Sequence, residues 1–141
     1  MANLTVTIKE EVSLNGKEYG GSNTLDLTVT EVDARVVTIT NTEQTILLFA
    51  AAVAAGTFKD AQLEYLRITN LHISATVDLR ISDAAQEYFV RIVAGGSFIL
   101  TEDQIDADNT GDAETMSLAQ IDSIKAVSST SASEIEIFAA S

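Results

Sequence analysis

The most constraining feature of this sequence is the alternation of apolar and polar side chains in residues 63–70, 76–82 and 134–138. In the second segment, the apolar residues from Val77 to Ile81 are separated by polar ones. Successive side chains of a β-strand point to opposite faces, so this alternation requires one buried face and one solvent-facing face. Such strands are typical of antiparallel sandwiches and barrels, and not of the parallel sheets of α/β enzymes.

Further strand-like segments follow one another along the chain, with turn signals between them. Asn15-Gly16 is the strongest hairpin signal, and residues 20–23 (GGSN) are predicted to form a second turn. We therefore predict an all-β protein that is an antiparallel β-sandwich, jelly-roll-like, of about eight or nine strands. A chain of 141 residues with 46% hydrophobic content is expected to form one domain, spanning residues 1–141.

Composition excludes several classes of partner. The net charge of −13 would repel a phosphate backbone, so no nucleic-acid binding is predicted, whereas a basic protein surface is compatible with it. The most apolar run, residues 46–55, is too short to span a bilayer, so no membrane association is predicted. The chain has no cysteine, which excludes disulfides and thiolate chemistry.

No catalytic constellation is evident in the sequence. His72 is the only histidine, it follows a predicted strand, and no Gly-x-Ser-x-Gly elbow accompanies it, so we interpret it as a surface turn residue. Zinc or cupin-type catalysis would require further histidine or cysteine ligands. The 21 acidic residues leave a paired-carboxylate glycosidase open, but the chain lacks the aromatic platforms that usually accompany sugars. We predict no enzyme, no catalytic residue and no cofactor.

The acidic segment of residues 102–114 contains a weak candidate calcium loop. Asp106, Asp108 and Asp112 supply oxygen ligands at spacings that partly fit such a loop. The position where a calcium loop carries its bidentate Glu is Ser117. The favoured interpretation is therefore a solvated loop without metal.

Charged residues on the polar side of the central strands are predicted to pair across strands. The residues concerned are Arg67, Arg80, Arg91, Glu64, Asp78 and Glu87.

Three aromatic residues, Tyr65, Phe89 and Phe138, fall on the outward phase of their predicted strands. Aromatic side chains in outward positions predict that these faces are not wholly solvated. A subunit contact or a second sheet would account for them.

Five phrases of the sequence carry a resemblance to a known class of proteins. They are residues 65–71 (YLRITNL), 77–81 (VDLRI), 88–100 (YFVRIVAGGSFIL), 121–130 (IDSIKAVSST) and 135–141 (IEIFAAS). Together they resemble small virion structural proteins of tailed bacteriophages, especially those of cyanobacteria and marine bacteria.

The resemblance covers residues 62–141 and implies a function. It implies a capsid cement or decoration protein that binds the major capsid protein on the outside of the shell, as a homo-oligomer with a trimer favoured. A neck, tail or tail-fibre-associated protein is the alternative. A carbohydrate-binding module or a cupin-like enzyme domain is a weaker one.

Overall fold

The computed structural model describes residues 1–50, 57–59, 63–82, 87–101 and 121–141, and these residues form eleven strands and no helix. In chain order the strands are β1 (Ala2–Leu14), β2 (Lys17–Val29), β3 (Val32–Ile39), β4 (Gln44–Ala50), β5 (Thr57–Lys59), β6 (Tyr65–Asn70), β7 (Val77–Ser82), β8 (Glu87–Ile92), β9 (Ser97–Thr101), β10 (Ser123–Ser128) and β11 (Ser133–Ala140). The predicted all-β class is confirmed. In the described ranges no helix is long and apolar enough to cross a membrane.

The chain divides into two compact units, Met1–Thr30 and Glu31–Ser141. The first unit is the antiparallel hairpin of β1 and β2, and the second contains the other nine strands. The division shows where contacts concentrate, and the prediction that residues 1–141 fold as a single domain stays a prediction.

The hairpin of the first unit is built on the predicted Asn-Gly turn. Asn15 and Gly16 both have positive φ, 54° and 75°, as a type I′ turn requires. This turn fixes a register in which every residue of β1 pairs with one of β2, from Leu14 opposite Lys17 to Ala2 opposite Val29. The hairpin prediction at Asn15-Gly16 is confirmed.

The prediction of a second turn at residues 20–23 is wrong. These residues continue β2 and pair with β1 without interruption. Gly20 has a φ of 143°, and a Cβ atom there would collide with the carbonyl oxygen of Glu10. The glycine therefore marks a close approach of two backbones inside a ladder and not a reversal of the chain.

The second unit is a β-sandwich. One sheet has the strand order β3-β11-β6-β9, and the other has the order β5-β4-β10-β7-β8. With β5 set aside, the two sheets contribute four strands each, and the chain crosses between them as in a jelly roll. The short β5 is added parallel to the edge strand β4, whereas the other pairs are antiparallel.

The core lies between the two sheets, and the alternation seen in the sequence determines which side chains enter it. In β7, Val77, Leu79 and Ile81 are fully buried while Asp78 and Arg80 face outward and are only partly covered. The same pattern places further large side chains between the sheets: Ile39, Leu47, Leu66, Ile68, Leu100, Ile124, Ile135 and Ile137.

A β-bulge in β4 links the two sheets through a partly buried polar contact. The register between β10 and β4 shifts between Ile124 and Lys125, which leaves Ile46 without a ladder partner. The guanidinium of Arg35 in β3 donates a hydrogen bond of 2.7 Å to the free carbonyl of Ile46 and contacts Asp33 at 3.2 Å. One arginine thus satisfies the carbonyl that the bulge exposes.

Candidate interaction surface

The hairpin of β1 and β2 has one apolar face, which is set by its register. Residues directly opposite one another in an antiparallel pair have side chains on the same face. Leu4 is opposite Leu27, Val6 is opposite Leu25, and Ile8 is opposite Asn23. We call this the ribbon face, and its residues are Ala2, Leu4, Val6, Ile8, Glu10, Val12, Leu14, Lys17, Tyr19, Gly21, Asn23, Leu25, Leu27 and Val29.

The opposite face of the hairpin is polar. Thr5 donates a hydrogen bond of 2.7 Å to Asp26, and Lys9 forms an ion pair of 2.7 Å with Glu11. The ribbon face is therefore mainly apolar, with Glu10, Lys17 and Asn23 as its polar residues, and the opposite face is polar.

Much of the ribbon face is open to solvent. Five of its large apolar side chains are exposed: Ile8 by 44%, Leu25 by 38%, Tyr19 by 49%, Val12 by 54% and Leu14 by 58%. The hairpin is the whole of the first unit, so within that unit no second layer covers this face. A two-stranded hairpin is at best marginally stable in water, and an exposed apolar face of this kind makes the ribbon face a candidate interaction surface.

The outer face of the four-stranded sheet carries two of the predicted aromatic contacts. Tyr65 and Phe138 both point away from the core, as predicted, and their rings pack edge to face at 6.0 Å. Tyr65 is nevertheless only 4% exposed, and burial raises the pKa of its phenol while the nearby charge of Arg67 partly offsets that rise. Tyr65 thus has little surface left for a partner, and its role as a subunit contact stays a prediction.

Phe89, the third predicted aromatic contact, lies on the edge strand β8 and is 69% exposed. It is opposite Arg80 on the outer face of the five-stranded sheet and lines a shallow cleft with Asp78, Val90 and Arg91. Its geometry is compatible with the predicted subunit contact, which likewise stays a prediction.

The charged residues of the central strands form cross-strand pairs, largely as predicted. Arg91 donates two hydrogen bonds to the carboxylate of Asp78, at 2.6 and 2.7 Å, and these hold the pKa of Asp78 below its usual range. Arg80 contacts Glu87 at 3.3 Å.

Three further pairs were not among those predicted. Arg67 pairs with Glu136 at 2.7 Å, because β6 lies beside β11 in the four-stranded sheet. Arg80 and Lys125 share Glu43 at 3.0 and 3.7 Å. These pairs are partly exposed, so each stabilises the fold weakly.

His72 lies in the turn after β6, as predicted, and its ring organises that turn. Its Nδ1 accepts hydrogen bonds from the backbone N–H groups of Ser74 and Ala75, at 3.1 and 2.8 Å. A neutral imidazole with an accepting Nδ1 carries its proton on Nε2. The imidazole ring therefore has a structural role in this turn.

Asn70, the residue at the end of β6, holds the same turn from inside. It is fully buried, and its amide group donates to the carbonyls of Ala75 at 2.8 Å, Val93 at 3.2 Å and Ile92 at 3.3 Å. Its side-chain oxygen accepts from the N–H of His72 at 3.0 Å. One side chain therefore connects the β6–β7 and β8–β9 turns.

A groove of about 340 Å³ lies beside this turn, at one end of the sandwich. Its rim includes Leu71, which is 45% exposed, and Ile73, which is 94% exposed. Its remaining walls are formed by Thr38, His72, Ala132, Ser133 and Glu134.

The candidate calcium residues Asp106, Asp108 and Asp112 lie outside the described residues. Within the part of the chain that the structure describes, no group of three or more His, Asp or Glu side chains is placed to hold a metal ion.

The ribbon face is a candidate interaction surface that sequence reasoning missed, although the signal for it was present. A two-residue Asn-Gly turn at 15 and 16 pairs each residue with the one whose number adds to 31. Applying this rule aligns Leu4 with Leu27 and Val6 with Leu25. The mistaken turn at residues 20–23 interrupted β2 and concealed the continuous face.

Comparison of the chain with protein-family models, with curated protein sequences and with solved structures finds no match.

Proposed function

We propose that this protein is a structural component of a virion, and that it acts as a capsid cement protein on the outside of the major capsid shell. The observation that carries the proposal is the ribbon face. It exposes the apolar side chains of Ile8, Val12, Leu14, Tyr19 and Leu25, and a surface of this kind suits a contact with another protein.

The sandwich supports the same role as a rigid body. Its buried polar turn is held by Asn70, and its outer faces carry cross-strand ion pairs, both of which suit a rigid structural body. Jelly rolls occur in capsid proteins, but also in lectins and cupins, so the fold alone does not decide between them. The resemblance of residues 62–141 to tailed-phage virion proteins favours the capsid.

The mechanism of a cement protein is mechanical. Each copy makes a modest contact with the shell, and repetition over a symmetric lattice multiplies that contact into a large total stabilisation. The acidic charge of −13 suits a basic shell surface and opposes indiscriminate aggregation.

The enzyme alternatives receive less support from the described residues. The only histidine, His72, uses Nδ1 to accept two backbone hydrogen bonds, which leaves one ring nitrogen for any other purpose. Tyr65 is buried and offers no open ring to a sugar, but Phe89 is 69% exposed, so the carbohydrate-binding alternative is left to experiment. A neck, tail or tail-fibre location remains the structural alternative.

The test is to locate the protein in purified virions of a phage that encodes it. Mass spectrometry is expected to find the chain in the particle, and cryo-electron microscopy is expected to show a two-layered sandwich on the outer surface of the shell. Density at the neck or tail would replace the cement role by the alternative. Absence from the virion, together with binding to a glycan array, would overturn the proposal.

A further inference from the structure

We propose that the turn between β6 and β7 is a pH-sensitive element, which loosens when His72 takes up a proton. The turn contributes Leu71, His72 and Ile73 to the wall of the groove at the end of the sandwich. Its loosening would therefore change the shape of that groove. The inference concerns a conformational property of the chain, so it goes beyond the proposed function and does not depend on it.

The hydrogen bonds at Nδ1 of His72 are compatible only with a neutral ring. Nδ1 accepts a hydrogen bond of 2.8 Å from the backbone N–H of Ala75 and one of 3.1 Å from that of Ser74. A protonated imidazole carries a hydrogen on each ring nitrogen and has no acceptor left. Protonation would set an N–H group of the ring against two backbone N–H groups, so both hydrogen bonds would break.

The loss is most unfavourable at Ala75. This residue is only 3% exposed, so water does not readily replace the ring as acceptor for its N–H group. A buried N–H group without an acceptor destabilises the conformation that buries it. The turn is therefore expected to open until this group reaches water, and Leu71 and Ile73 on the groove rim are expected to move with it.

Hydrogen bonds that do not titrate hold both ends of the turn, so the opening is expected to be local. At the first end, the N–H of Leu71 donates to the carbonyl of Glu134 at 3.0 Å. At the second end, the N–H of Thr76 donates to the hydroxyl of Ser129 at 3.0 Å, and the N–H of Ser129 donates back to the carbonyl of Thr76 at 2.9 Å.

Few charged groups near the turn compete with this effect. In the described part of the chain, Glu134 is the one charged residue that lines the groove together with His72. Its side chain is exposed, so its attraction for a protonated ring is screened by water and opposes the opening weakly. The adjoining turns, residues 93–96 and 128–133, contain no charged side chain.

Amide hydrogen exchange of the full chain, measured by NMR, tests the proposal. An imidazole in an unfolded segment titrates near pH 6.5, so each pH unit below this value favours the opened turn by about tenfold. The protection factor of the Ala75 amide is thus expected to be about tenfold lower at pH 5.5 than at pH 7.5. The amide of Leu79 in β7 is expected to keep its protection.

Three variants serve as controls. The side-chain oxygen of Asn accepts from N–H groups two or three residues further on and does not titrate. His72→Asn is therefore expected to give an Ala75 protection factor that is equal at both pH values. His72→Ala lacks the acceptor and is expected to give low protection at both. Glu134→Gln is expected to retain the loss seen in the wild type.

Constant protection of Ala75 in the wild type would overturn the proposal, and so would an equal loss in His72→Asn. A loss that disappears in Glu134→Gln would overturn it by assigning the response to the carboxylate. A loss shared by Leu79 would overturn the local opening in favour of global unfolding. None of these outcomes bears on the cement role, which is tested by the location of the chain in virions.

Discussion

The two units of this protein use the same alternation of apolar and polar residues and reach opposite degrees of burial. Leu79 in the sandwich is 0% exposed, whereas Leu25 in the hairpin is 38% exposed. Both lie on the apolar side of an antiparallel ladder. Alternation therefore predicts that a strand has two different faces, but it does not say what covers the apolar one.

The difference arises from the number of layers. In Glu31–Ser141 two sheets cover one another, so each apolar face is buried by the chain itself. In Met1–Thr30 there is one layer, and Ile8, Val12 and Leu14 on its apolar face are exposed, whereas Val29 on the same face is 2% exposed. The sandwich is thus expected to hold the stability of the isolated chain, and the hairpin is expected to hold its capacity for interaction.

The largest expected effect comes from truncating one leucine in each unit. Leu79→Ala leaves a cavity between the sheets and is expected to lower the free energy of unfolding by about 3–5 kcal/mol. Leu25→Ala removes side-chain surface that is already partly solvated and is expected to cost less than about 1 kcal/mol in dilute solution. Urea unfolding at low protein concentration measures both. Equal losses would show that the hairpin apolar face is as well covered as the core.

The next effect concerns the buried polar contact of the sandwich. Asn70→Ala removes the partner of three carbonyls and one N–H group, and is expected to lower the free energy of unfolding by about 3 kcal/mol. Asn41→Ala, at an exposed turn, is the matched control and is expected to change it by less than about 0.5 kcal/mol. A small loss at Asn70 would show that water replaces these hydrogen bonds.

A smaller and more local effect is expected in the hairpin. Gly20→Ala forces a side chain into a positive-φ position against the Glu10 carbonyl, at an expected local cost of about 2 kcal/mol. Gly21→Ala, next to it, enters open space and is the control. Hydrogen exchange should accelerate in β1 and β2 for Gly20→Ala while the sandwich amides keep their protection. Faster exchange throughout both units would show that they unfold together.

Local sequence patterns predicted the elements whose cause is local. The Asn-Gly turn and the apolar residues of β7 and β11 are placed as expected, because turn chemistry and burial of one face act over a few residues. The exception is Gly20. A glycine at this position predicted a turn, but Gly20 lies within the β1–β2 ladder, where its backbone approaches that of Glu10 closely.

Contacts between residues distant in sequence could not be predicted from patterns. Arg67 pairs with Glu136, which is distant in sequence, because β6 is next to β11 in the sheet order. The hydrogen bond from Arg35 to the carbonyl of Ile46 depends on a β-bulge in β4, and no residue type in that strand predicts a bulge. The residues of the ribbon face follow from the register of the Asn15-Gly16 turn alone, so this face could have been predicted from the sequence.

The smallest expected effect tests the exposed ion pair of Asp78 and Arg91. Because hydrogen bonds from Arg91 lower the pKa of Asp78 in the folded state, the pair stabilises the fold at pH values above the unfolded pKa of about 3.9. This contribution is lost as the pH falls through the lower, folded value. The difference in unfolding free energy between wild type and Asp78→Asn is therefore expected to be constant from pH 7 to about pH 5 and to shrink below about pH 4.

The control for this pair is a double-mutant cycle with Arg91→Gln, in which the pH-dependent difference is expected to disappear. Arg91 is 65% exposed on its side chain, so solvent screening makes the effect small, and added salt should reduce it further. Chemical unfolding at a series of pH values measures it. A difference that persists in the Arg91→Gln background would show that Asp78 is stabilised by other groups. In that case, the outer face of the sandwich would have electrostatic contacts stronger than those of the hairpin, and the contrast between the two units would extend from apolar burial to charge.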